Sequence, residues 1–191
     1  EQLAIGKGMT LLLRSLFDLL INPFGSILVL NPEYEFINTL AEMYQLEVTA
    51  VDFERNLEFP LENIIEKLQN NSYDLIYFSN PNNPTGSMIG PSKLTKILNA
   101  AKCPVIVDEC YAPFAKQNMY PLLEEYTNLI LVRSLASEYG IGAARLGYIL
   151  ADQETISGLK KVLSPFLLDV FSEVVITVLL EYREKLLLRT D

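Results

Sequence analysis

Four short strings in this chain combine residue types that can hold a small charged ligand. The longest is Ser79-Asn80-Pro81-Asn82-Asn83-Pro84-Thr85-Gly86. Its asparagine amides offer both donor and acceptor, and its prolines and glycine stiffen a turn; a plain strand-to-helix turn accounts for the same residues. In the second string, Val105-Ile106-Val107-Asp108-Glu109-Cys110-Tyr111, an apolar run delivers Asp108 at its end. A carboxylate so placed is costly to bury without a cation, and a protonated ring nitrogen is one such cation. Capping the next helix is the competing use. The third string sets Arg145 among small residues and glycines, from Arg133 to Tyr148. An arginine there can grip a phosphate through two parallel hydrogen bonds, or simply lie on the surface of a tight loop. The fourth, Gly6-Lys7-Gly8-Met9-Thr10, opens a helix. Free backbone N–H groups at a helix start attract anions, although a glycine pair alone is equally a plain helix start.

The positioning elements follow from hydrophobic periodicity. Runs at 26–30, 47–51, 74–79, 105–108, 129–133 and 146–151 read as strands, nearly continuous in apolar residues, as expected when both faces are covered. Helical patterns occupy 10–20, 35–44, 61–69, 91–101 and 153–163, with Pro91 suited to a first turn. Alternation at this spacing predicts an α/β fold, a mainly parallel sheet with helices on both faces. Its ligand loops lie beyond the carboxyl ends of the strands, where the motifs fall. A core of residues 1–164 is expected, then a C-terminal helix over 165–191. The apolar stretch 162–180 carries Asp169 and Glu173, and reads as a helix packed against protein rather than a membrane span.

Composition removes several function classes. Fifteen basic residues face 24 acidic ones, a net charge of −9, so nucleic acid and anionic membrane are poor partners. The chain has no histidine. This excludes Ser-His-Asp and Cys-His catalysis and removes the commonest metal ligand. Cys103 and Cys110 lack metal-site spacing and suit a reducing, cytoplasmic setting; no secretory pattern opens the sequence.

Taken in order, the strings resemble the class I/II, fold-type-I pyridoxal-phosphate aminotransferases, with the histidinol-phosphate type and the related threonine-phosphate decarboxylases nearest. The resemblance covers nearly the whole chain and implies the fold of that family's large domain. It also implies roles for matching positions. Gly8, Met9 and Thr10 would lie at the phosphate of pyridoxal 5'-phosphate, with Ser134 and Arg145 completing the cup. Tyr34, in Pro32-Glu33-Tyr34, would stack on the pyridine ring. Asn83 and Tyr111 would bond its phenolic oxygen, and Asp108 would pair with its nitrogen. A homodimer and a small amino-acid or amino-phosphate substrate are implied as well.

The chain departs from the family at one decisive place. The Schiff-base lysine lies three residues after the position of Ser134 and eight before that of Arg145; both counts land on Ser137. Ala136 replaces the usual hydroxyl beside it, and Met9 a residue that is often small and polar. A hydroxyl supplies neither the covalent tether nor the base, so impaired catalysis, with cofactor binding or dimer pairing left, is expected. Lys7 and Lys116 are the nearest alternative lysines, Lys7 suiting phosphate neutralisation better. An amino-terminal arm and a small domain carrying the substrate arginine would lie before Glu1 and after Asp191.

Overall fold

The computed structural model describes residues 2–115, 117–164 and 168–182. A seven-stranded sheet forms its centre. In chain order the strands are β1 (Leu3–Gly6), β2 (Ser26–Asn31), β3 (Glu47–Asp52), β4 (Leu75–Ser79), β5 (Val105–Asp108), β6 (Leu129–Ser134) and β7 (Gly147–Leu150). Their spatial order is β1-β7-β6-β5-β4-β2-β3. All pairings from β3 to β6 are parallel, and β7 runs antiparallel to both β6 and β1. The expected mainly parallel sheet is present, with one reversed strand in place of the last expected parallel one. The expected strands are each found within a residue or two, whereas β1 lies outside them.

The helices are α1 (Met9–Leu20), α2 (Phe36–Tyr44), α3 (Leu61–Asn70), α4 (Pro91–Ala100), α5 (Leu135–Tyr139), α6 (Gln153–Val162) and α7 (Val170–Glu181). They cover both faces because side chains alternate along each strand. In β4, Leu75 and Tyr77 join one core with Leu12, Leu16 and Phe17 of α1, Leu40 of α2 and Leu159 of α6. Ile76 and Phe78 enter the other, with Ile64 of α3 and Leu94 and Ile97 of α4. All four β4 residues are fully buried. Reversing a one-residue register would therefore have no polar face to expose, which ties β4 to the centre of the sheet.

Asp152 caps α6 by accepting from Glu154 N at 2.8 Å and Thr155 N at 3.2 Å, and Lys160 and Lys161 sit in its last turn, where the helix dipole favours cations. The stretch 162–180 differs from expectation. It holds the end of α6 and most of α7, and α7 packs little within the described residues: Ser172 and Leu179 are buried while Val170, Phe171, Val174, Val178 and Leu180 are exposed. Among the described residues no helix is long and apolar enough to cross a membrane. Residues 165–167 and 183–191 of the expected C-terminal helix lie outside the described residues.

Candidate functional site

One edge of the sheet gathers the motifs. The parallel strands β2, β4, β5 and β6 end there, β1 ends there too, and the antiparallel β7 begins there. Strand order turns at β2, whose neighbours are β3 and β4, the kind of switch point that opens a crevice. A cavity of about 300 Å³ lies at this edge. Gly8, Met9, Thr10 and Arg145 line it, as do Tyr34, Asn83, Asp108 and Tyr111, and Ser134 and Ser137 complete the set. All ten residues singled out from sequence thus face one space, and Asp108 and Arg145 share it.

Gly8 and Arg145 lie together. Gly8 has φ 84° and ψ 160°, a conformation nearly restricted to glycine. A Cβ at Gly8 would meet Arg145 Nη2 at 3.1 Å and Nε at 3.3 Å, so the guanidinium rests over the glycine backbone. Arg145 itself sits in the left-handed region at φ 47°, ahead of β7. No side chain caps α1 and no acidic residue occupies its first turn, which leaves the amino end of a 12-residue helix and a guanidinium side by side. Gly147 lets α1 close on β7: a Cβ there would meet Arg133 O at 3.0 Å and Leu12 Cδ1 at 3.2 Å.

Asp108 lies at the end of β5, two strands along the sheet from β7. It is 4% exposed. Its carboxylate accepts from Cys110 N at 2.8 Å and from Tyr77 Oη at 2.8 Å, and makes no ion pair among the described residues. Burial pushes the Asp108 carboxyl above the usual carboxylate range, with the Cys110 and Tyr77 bonds opposing. Burial and then the Asp108 charge push the Tyr77 phenol well up in turn. The competing use of Asp108 as a helix cap is not met: the next helical turn, Ala112–Phe114, starts from Tyr111 without a side-chain cap, and the two Asp108 oxygens go to Cys110 N and Tyr77 Oη.

The asparagine loop is built by internal bonds. Asn82, buried, accepts from Thr85 N at 3.2 Å and Thr85 Oγ1 at 2.7 Å, and Asn80 clasps Ile89 through both its amide atoms, at 3.2 and 3.0 Å. Asn83, facing the cavity, donates its backbone N–H to Ser79 Oγ at 2.9 Å. Ser79 stands opposite Asp108 in the β4–β5 register. Tyr34 follows β2 and packs against Phe36 with ring centroids 6.2 Å apart.

Ser134 ends β6 and caps the short α5, accepting from Ser137 N at 3.4 Å. Cys110 lines the cavity beside Asp108; burial first, then Asp108, drives its thiol pKa far up, so it stays protonated. Both cysteines are free. Behind the site Arg133 donates to Glu109 at 2.6 and 2.7 Å and to Asn118 Oδ1 at 2.9 Å. Burial works against the Arg133 charge, and Glu109 outweighs it.

Lys7 does not line the cavity. Its ammonium meets Asp169 Oδ2 at 2.6 Å, at the cap of α7, and that bond lowers the Asp169 pKa to about 2. The expectation that Lys7 neutralises a phosphate is corrected accordingly: an exposed carboxylate has claimed it. Lys116 lies outside the described residues. Sequence reasoning gave no site role to Ser79, Cys110, Gly142 and Leu146, which also line the cavity; all four lie within the motif strings, and that membership was the available signal.

The family described as "Aminotransferase class I and II" matches residues 1–185. A histidinol-phosphate aminotransferase from Thermococcus kodakarensis is 32% identical over 95% of this chain and 53% of its own length. Among solved structures, the L-threonine-O-3-phosphate decarboxylase of Porphyromonas gingivalis superposes with a TM-score of 0.81 at 19% identity, over 97% of this chain and 55% of that one. The histidinol-phosphate aminotransferase of Sinorhizobium meliloti, in complex with pyridoxal-5'-phosphate, gives 0.79 at 23%, over 85% and 45%. At these identities the two structures speak for the fold. The chain spans about half the length of the curated relatives it matches.

Proposed function

Because the chain belongs to the class I and II aminotransferase family, we propose that its cavity binds pyridoxal 5'-phosphate in the manner of a histidinol-phosphate aminotransferase, without a covalent tether and with impaired amino-group transfer. One observation carries the reading: a buried carboxylate with no cation among the described residues, Asp108, faces the same cavity as an uncapped helix start and the Arg145 guanidinium. A ligand with a cationic ring nitrogen at one end and a phosphate at the other suits both. The Gly8 backbone, lying under Arg145 with no side chain, is the approach such a phosphate needs.

The roles follow. Arg145, Ser134 and the backbone of Gly8, Met9 and Thr10 would hold the phosphate. Tyr34 would lie against the ring face, and Asn83 and Tyr111 would orient the ring by its oxygen. Asp108 would keep a proton on the ring nitrogen. When bound, the cofactor supplies an electron sink for chemistry at an amino-bearing carbon. Ser137 has no nitrogen with which to tether it, and its hydroxyl is not a base near neutral pH. Among the described residues no lysine lines the cavity, and the protonated Cys110 thiol is no substitute. The substrate, a small amino acid or amino phosphate by family analogy, and a cytoplasmic location belong to the same reading.

The test is titration of the chain with pyridoxal 5'-phosphate, followed by borohydride and intact-mass measurement. Binding with no mass gain is expected, and Ser137→Lys should gain one fixed cofactor at position 137. A fixed adduct on the unaltered chain refutes the untethered mode. Failure of both proteins to bind refutes the site.

A further inference from the structure

Glu33 stands outside the cavity yet touches its wall from behind. It follows β2, next to β4 in the sheet. Its carboxylate accepts from Tyr34 N at 2.9 Å, Ser79 N at 3.0 Å and Asn82 Nδ2 at 3.2 Å, and from Ser79 Oγ in a short bond. Ser79 Oγ passes the connection on, accepting from Asn83 N at 2.9 Å and Asn82 Nδ2 at 3.3 Å. One carboxylate therefore binds the backbone of Tyr34 directly and that of Asn83 through a single serine.

We propose that Glu33 is a positioning residue: its ionised carboxylate ties Tyr34 and Asn83 into one wall of the cavity by gripping Ser79 and Asn82. The inference rests on the cofactor-site reading, since Tyr34 and Asn83 are the residues that would meet the ring face and its oxygen.

The chemistry requires the ionised form. Both oxygens are met by donors, and a carboxylate can accept all four bonds. A protonated carboxyl must place its own hydrogen, and among these partners only Ser79 Oγ can receive it. That oxygen already accepts two bonds, so a third displaces Asn83 or Asn82. Every donor to Glu33 is neutral. The charged group whose field reaches it is Asp108 of β5, and Tyr77 of β4 stays a neutral phenol. Burial, with Asp108 adding a smaller push, raises the Glu33 pKa to about 7, so the grip loosens as pH falls through neutrality.

The experiment compares the chain with Glu33→Gln, which keeps the shape but puts an amide donor where donors already converge. Hydrogen exchange of the ligand-free proteins at pH 8 should be about three- to tenfold faster at the Tyr34 and Asn83 amides in the variant, the worth of one net hydrogen bond. The ratio should approach one by pH 5.5, and exchange in α4 should not change. The ratio of pyridoxal 5'-phosphate dissociation constants should follow the same pH course. A role in bulk stability alone would give a ratio constant with pH, and overturns the proposal. Unchanged exchange at both amides overturns it whatever the binding. A chain with altered exchange that binds no pyridoxal 5'-phosphate overturns the cofactor reading, and with it the role in binding. Should Glu33→Gln fail to fold, Ser79→Ala replaces it: exchange should quicken at Asn83 but not at Tyr34, and equal effects at both refute the route through Ser79.

Discussion

Replacing Asp108 by asparagine should stabilise the ligand-free protein and weaken its hold on the cofactor. The carboxylate is 4% exposed and has two neutral donors but no cation among the described residues. An asparagine preserves the bond from Cys110 N through its oxygen, and Tyr77 Oη can turn to accept from the amide. What disappears is the charge. Burial raises the folded-state pKa of Asp108 above its unfolded value near 3.9. The folded protein thus holds the proton more tightly than the unfolded chain, and stability falls as pH rises out of the acid range. At pH 8 the penalty is larger than in acid, and burying a polar group without compensation costs about 1–3 kcal/mol on mutational scales. Thermal unfolding of Asp108→Asn at pH 8 should therefore sit about 2–12 °C higher, from roughly 2–4 °C per kcal/mol for a chain of this size. The gain should shrink towards pH 4. Against the cofactor the change removes a charge-assisted bond of about 1.5–3 kcal/mol, or roughly a 10- to 150-fold rise in Kd for pyridoxal 5'-phosphate. Calorimetry and equilibrium dialysis on one preparation read both signs. A variant that melts lower at pH 8 and binds unchanged would refute the reasoning at both ends.

Arg133→Leu should destabilise the chain by about 3–5 kcal/mol in urea unfolding, because Glu109, with its side chain 2% exposed, loses its cation. Adding Glu109→Leu should restore most of that loss, and a double variant as weak as the single one would show that the pair contributes more than charge compensation. We also propose, as part of the cofactor-site reading and the homodimer that the family resemblance implies, that a second copy packs on α7, whose Val170, Phe171, Val174, Val178 and Leu180 are exposed. Sedimentation should show a dimer that Phe171→Glu and Val174→Glu dissociate; a clean monomer of the unaltered chain at the concentrations used for binding ends that reading.

How far the sequence could be read depended on how local each constraint was. The four β5 residues lie where the apolar run placed them, since all are buried and Asp108 stops the run. The strand β1 was invisible for the opposite reason: four residues with alternating exposure give too short a signal beside a glycine pair. The reversal of β7 was not legible either. Its residues are as apolar as those of a parallel strand, and the direction comes from the short path through α5 and Arg145. The convergence of most of the ten residues on one cavity was legible because strand ends on one edge share a rim, and Tyr34 and Ser137 were implied by the family resemblance. Glu33 was not, because its partners Ser79 and Asn82 lie 46 and 49 positions away and no motif links them. The Lys7 pairing spans 162 positions, and a lysine beside a glycine turn gives no hint of it.

The electrostatics of the cavity narrow what can fill it. Two carboxylates, Asp108 at the end of β5 and Glu33 just after β2, lie near enough for the first to raise the pKa of the second, and neither has a cation among the described residues. The positive groups stand ahead of β7, where Arg145 adjoins the start of α1. A free phosphate ion would satisfy these and leave Asp108 unrelieved, and a simple cation would do the reverse. A molecule that carries both charges across a flat apolar body relieves both, and Tyr34 offers an aromatic face for that body. Ser137 adds no charge, so the imbalance at Asp108 is left for a proton, a ligand or a new cationic side chain to remove. Under the proposed reading, holding a phosphorylated pyridinium draws on this charge pattern and needs no amine at position 137.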